Sequence, residues 1–115
     1  MKMRSLASFE FRIAIRSGVR KSRSGITRYW FRCQGVEPFG LGVSIGKKVG
    51  AAIVRNRIKR RVRETVRLYI DRLEPGSALV FIIRPHATQL TRRELRQTVL
   101  ALLPLPDSRL ILDRK

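Results

Sequence analysis

Acidic residues are scarce in this chain: 8 Asp plus Glu stand against 26 Lys plus Arg in 115 residues, a formal charge of +18. That imbalance is self-repulsive and exceeds what solubility needs, so it predicts a polyanionic partner. Cysteine is nearly missing. Cys33 stands alone, which excludes an intrachain disulfide or a cysteine-based metal site; it reads as strand filler in a protein of the reducing cytoplasm. Long apolar runs are missing too, since the longest, Ala78 to Ile83, is far short of the roughly 20 residues of a spanning helix. A membrane partner is therefore not expected. The start, Met1 to Gly18, is broken by Glu10, Arg12 and Arg16 and offers no signal-peptide core. Its Phe9, Phe11 and Ile15 fit either a transit peptide or the buried side of a short helix.

Catalytic constellations are equally sparse. The acids are scattered from Glu10 to Asp113, and Glu64 and Asp71 each follow an arginine by four residues, the spacing of helix ion pairs. No two carboxylates fall in a motif that would hold two metal ions, and the lone His86 follows Arg84-Pro85 without a partner in sequence.

What is present suits one domain spanning residues 1–115, with 43% apolar residues for one modest core. Ser8 as N-cap, Phe11 and Ile15 at helical spacing and Gly18 as a left-handed stop predict a first helix. Val19 to Ile26 is basic and lacks apolar periodicity, and reads as loop. Thr27 to Cys33 alternates, with Tyr29 and Phe31 on one face and Trp30 on the other. A turn through Pro38 then leads to a strand over Leu41 to Ile45, and the two strands are expected to pair as a hairpin.

The strongest periodicity runs from Ala51 to Leu73, where Val54, Ile58, Val62, Val66, Tyr69, Ile70 and Leu73 recur every three or four residues. Pro75 and Gly76 end that helix, and the continuous run Ala78 to Ile83 predicts a central strand buried on both faces. Thr91 and Glu94 form a capping box for a last helix through Leu95, Val99 and Leu102, which stops at Pro104. Residues 105–115 read as a loose tail. The order α-β-β-(β)-α-β-α makes an α+β fold, a two-layer sandwich.

The informative segment is Lys47 to Glu64. Arg55, Arg57, Lys59, Arg60, Arg61 and Arg63 put six cations into nine residues, and Glu64 is the single acid from Lys47 to Val66. Solvated charged faces usually mix signs, so this one predicts polyanion binding. At about 100° per residue, Asn56, Arg60, Arg63 and Arg67 fall within about 60° of one another, opposite Val54, Ile58 and Val62. Arginine outnumbers lysine there, and its planar fork suits phosphate contact and base stacking. Asn56 reads either as a hydrogen-bond partner for a backbone or 2′-hydroxyl, or as a local cap.

Arg55-Asn56-Arg57 followed by Ile58-Lys59-Arg60, and preceded by Lys47-Lys48-Val49-Gly50, resembles the RNR signature of the bacterial ribonuclease P protein family. The likeness extends to the Phe-containing first helix, Gly42 and Ser44 at a strand end, and an apolar strand closing in Arg84-Pro85. The chain departs from the family pattern at Gly46, Ile15 and Val66.

The resemblance implies a fold like a domain of a ribosomal small-subunit protein, with a left-handed β-α-β crossover against the usual preference. It implies contact with the catalytic RNA through Lys47, Lys48, Arg55, Asn56, Arg57, Lys59, Arg60, Arg61, Arg63 and Arg67. It further implies a cleft for the single-stranded 5′ leader of precursor tRNA at Phe11, Ile15, Tyr29 and Phe31, which the helical spacing alone reads equally well as core. The implied partners are ribonuclease P RNA and precursor tRNA, with no protein partner, and Mg²⁺ held mainly by the RNA. Two other classes share the charge: a general RNA-binding protein indifferent to leaders, and a protein of DNA or anionic membrane surfaces.

Overall fold

The computed structural model describes residues 3–33 and 38–105. Its elements in chain order are β1 (Arg4–Ser5), α1 (Ser8–Ser17), β2 (Val19–Arg23), β3 (Ile26–Arg32), β4 (Gly40–Ile45), α2 (Ala52–Leu68), β5 (Ser77–Ile83) and α3 (Arg92–Leu102). Short 3₁₀ turns at Lys47–Val49, Ile70–Arg72 and Pro85–Gln89 join them. The five strands form one mixed sheet in the order β1-β4-β5-β3-β2.

The apolar run of β5 takes the centre of this sheet, pairing parallel with β4 and antiparallel with β3. A strand buried on both faces gains most from the middle position. This overturns the hairpin expected between β3 and β4: the two are sequential but separated by β5. The β4-α2-β5 unit that results joins neighbouring parallel strands through the long helix.

Alternation along the strands divides the core. Leu41, Leu79, Phe81, Ile83 and Ile26 meet α2 and α3 on one face through Ile58, Val62, Val66, Leu95, Val99 and Leu102. On the other face Ala78, Val80 and Phe31 lie under Ala14 of α1. Burying three helices' apolar stripes against one sheet is what makes the fold cooperative, at about 25 cal/mol for each Å² removed from water.

Several boundaries differ from expectation for identifiable reasons. The segment read as a basic loop is β2, an edge strand whose five residues are all exposed; with nothing to bury, it has no apolar alternation to detect. It is closed against β3 by Ser24 and Gly25, both at positive φ, as a primed two-residue turn requires. Gly18 is extended at φ −74, not left-handed, because α1 runs straight into β2. The N-cap of α1 is Ala7, not Ser8, and Glu10 supplies the acceptor by taking the Ala7 N–H at 2.9 Å. The long helix ends at Leu68, its last predicted turn tightening into 3₁₀ geometry that still buries Ile70 and Leu73. The capping box of α3 forms as read, with Glu94 N–H donating to Thr91 Oγ1 at 3.1 Å and Thr91 N–H to Glu94 Oε1 at 2.9 Å. The tail expectation falls almost wholly outside the described residues.

Candidate RNA interface

The buried stripe of α2 fixes what its other side shows. With Ile58, Val62, Thr65 and Val66 turned inward, Asn56, Arg57, Arg60, Arg63 and Arg67 are exposed, and Lys59 and Arg61 are half-buried on its shoulders. The row Asn56, Arg60, Arg63 and Arg67 thus points to solvent, as its spacing predicts. Lys47 and Lys48 extend the positive surface from the exposed 3₁₀ turn between β4 and α2.

Two members of the segment behave in ways spacing could not reveal. Arg55 is half-buried and its Nε donates to the Gly50 carbonyl at 3.2 Å, so part of its donor set holds the chain entering the helix. Asn56 is the fifth helical residue, beyond the N-cap Ala51, and caps nothing; of its two readings the outward one remains. The expected ion pairs of Glu64 with Arg60 and Asp71 with Arg67 do not form, as the ion pairs among the described residues include neither. An arginine N-terminal to its acid is the weaker helix orientation, and Glu64 turns instead towards α3. The arginines of the row therefore stay available to an external anion.

On the opposite side of the sheet, α1 is held by an ion pair. Arg4 donates to both carboxylate oxygens of Glu10, at 3.1 and 2.8 Å, and to Cys33 Sγ at 3.2 Å. Glu10 is nearly buried, and its hydrogen bonds from Arg4 hold its carboxyl below the ordinary value despite the opposing effect of burial. Phe11 lies over β4, where the sheet offers Gly42: a Cβ there would sit 2.5 Å from the Phe11 ring. The family-like Gly at 42 thus makes room for the aromatic of the first helix.

The leader candidates then separate. Ile15 is 52% exposed, and Phe11 and Tyr29 are half-buried beside the cluster under α1, so all three can meet a base. Phe31 is corrected: at 9% exposure it packs with Ala14, Ala78 and Val80 beneath α1, because its strand position falls directly under the helix. Ile82, half-buried on the same face, is a further candidate; its place in the continuous run of β5 hid which face it takes. Phe39, fully buried against the α2 side, was missed inside a predicted turn.

Among the described residues no three His, Cys, Asp or Glu side chains come together as a group that could hold a metal ion. His86 is exposed in the 3₁₀ turn after β5.

A family model described as ribonuclease P matches residues 2–104. The chain is 37% identical over 101 residues to the ribonuclease P protein component of Symbiobacterium thermophilum, covering 84% of this chain and 88% of that one. It is 30% identical over 91 residues to that of Bacillus cereus, covering 79% of each. Among solved structures, the fold is similar to the ribonuclease P protein of Staphylococcus aureus, with a TM-score of 0.80 at 22% identity over 88% of this chain and 93% of that one. The protein from Thermotoga maritima gives a TM-score of 0.71 at 23% identity, covering 82% and 88%.

Proposed function

The chain belongs to the ribonuclease P protein family, and from that membership we propose a division of its surface between two RNAs. As the protein component of ribonuclease P it serves a holoenzyme that removes the 5′ leader of precursor tRNA. The outward row Asn56, Arg60, Arg63 and Arg67, with Arg57, Lys59, Lys47 and Lys48, seats the protein on the catalytic RNA. The observation that carries this is an exposed cationic row, without an ion pair among the described residues, on a helix whose opposite face is locked into the core. The leader runs along the α1 side, where Phe11, Ile15 and Tyr29 stack on or pack against its bases, each stack contributing about 1 to 3 kcal/mol.

In this division the RNA performs the chemistry. Water attacks the phosphorus at the mature end, the bond to the 3′ oxygen of the leader breaks, and the tRNA keeps the 5′-phosphate. Mg²⁺, held mainly by the RNA in this reading, would supply the charge that activates the attacking water. The protein contributes affinity: neutralising phosphates near the cleavage site lessens the Mg²⁺ the complex needs, and holding the leader favours precursor over product. We place this work in the cytoplasm, where the lone Cys33 stays reduced.

The test is cleavage of precursor tRNA at low Mg²⁺ by a bacterial ribonuclease P RNA, with and without the protein. Cleavage at the mature 5′ end should rise with the wild type and drop with Arg57→Ala and Arg60→Ala. RNA binding without any gain in cleavage, across RNA subunits of more than one bacterial type, would return the protein to the general RNA-binding class.

A further inference from the structure

A groove opens between α2 and α3, about 120° around α2 from the outward row. It encloses about 410 Å³ and is lined by Arg61, Glu64 and Leu68 from α2 and by Arg92, Arg93 and Arg96 from α3. Its position follows from the packing: Leu95, Thr98, Val99 and Leu102 turn into the core, which leaves the arginines of the first turns of α3 facing α2.

For the free protein these charges are poorly placed. Arg92 and Arg93 put positive charge on the first turn of α3, where the helix dipole favours anions. Arg92 and Arg96 are four residues apart, a repulsive spacing for like charges. Arg61 adds a cation from the facing wall, against the single acid Glu64. Glu94, the one acid of α3, is engaged in the Thr91 cap. None of the four arginines takes part in an ion pair among the described residues. Beside them Leu68 is 63% exposed, an apolar surface in a cationic groove.

We propose that this groove is a second seat for the catalytic RNA, taking a phosphodiester segment between its arginines with the sugar edge against Leu68. The inference rests on the RNA-partner reading above. Two placements favour the catalytic RNA over the precursor. The groove lies on the α2 and α3 side of the sheet, opposite α1 and the leader surface. Arg57 lies on α2 between the outward row and the groove, one turn before Arg61, so a strand leaving the row meets positive charge continuously.

The experiment compares the full chain with the triple variant R92A/R93A/R96A and with Leu68→Glu, each titrated against a bacterial ribonuclease P RNA and, separately, against precursor tRNA over a range of salt. Losing three phosphate contacts should flatten the salt dependence by two to three in log–log slope, so that the triple variant loses roughly thirtyfold less affinity than the wild type between about 50 and 200 mM salt. Leu68→Glu, at an exposed site, should weaken binding of the catalytic RNA with its melting temperature unchanged. Thermal melting of the triple variant should not fall and is expected to rise, as repulsion is removed and alanine favours helix. A structural role for these arginines predicts the opposite sign.

Unchanged slope and affinity in the triple variant, with R60A/R63A weakened, would overturn the groove while leaving the outward row intact. Weakening confined to precursor tRNA would overturn the occupant named. If the wild type neither binds the catalytic RNA strongly nor stimulates cleavage, the holoenzyme reading itself has failed, and the groove proposal falls with it.

Discussion

A carboxylate removed from water must have its charge met, and Glu10, 8% exposed, is met from three directions: two nitrogens of Arg4 and the Ala7 N–H. The same side chain therefore caps α1 and ties it to β1. Because the hydrogen bonds from Arg4 lower its pKa in the folded state, its contribution is present above the ordinary carboxylate value of 4.5 and is lost as pH falls through the depressed one. Glu10→Gln keeps an acceptor for Ala7 but removes the charge facing Arg4. It should cost roughly 1 to 2 kcal/mol at neutral pH, and the gap to wild type should close in acid. Urea unfolding at neutral pH and again well below the ordinary carboxylate value checks this; a gap that is the same at both would sink it. Arg28 is the contrasting case: buried beneath the α2 and α3 side, its pKa lowered by burial and its Nε without a partner, it is a cation the fold tolerates.

Elements were legible in proportion to what they bury. The stripe of α2, the capping box of α3 and the run of β5 each carry a signal made by the core or by a cap, so residues alone located them and predicted the outward cation row. β2 buries nothing and left a single trace, the Ser24-Gly25 pair at its turn. Strand pairing was illegible for another reason: adjacency in sequence favoured a hairpin, whereas the sheet places its most apolar strand between β3 and β4. The groove walls come from residues some thirty positions apart, and only packing brings them together. The turn of β2 gives its own test. Gly25 sits at φ +85 with Ala87 N only 2.9 Å from where a Cβ would lie, so Gly25→Ala should cost about 1 to 2 kcal/mol from the left-handed conformation alone. An unchanged urea midpoint would mean that the hairpin contributes nothing to the cooperative unit.

At the scale of the whole molecule, +18 charges on one small domain set stability and function against each other. The cations of the outward row and the groove find little compensation among the described residues, so folding has to carry their mutual repulsion. Added monovalent salt screens that repulsion over a Debye length of about 8 Å near physiological ionic strength, and should raise the melting temperature of the free protein. The same salt competes with phosphates for the same side chains. If about six cations meet phosphates, affinity for the catalytic RNA should fall roughly a thousandfold between about 50 and 200 mM. The two measurements must move in opposite directions: calorimetry of the free chain upward with salt, titration against RNA downward. A chain whose melting temperature fell with salt would owe its stability to ion pairs rather than withstand charge repulsion, and its arginines would not be free to neutralise phosphates.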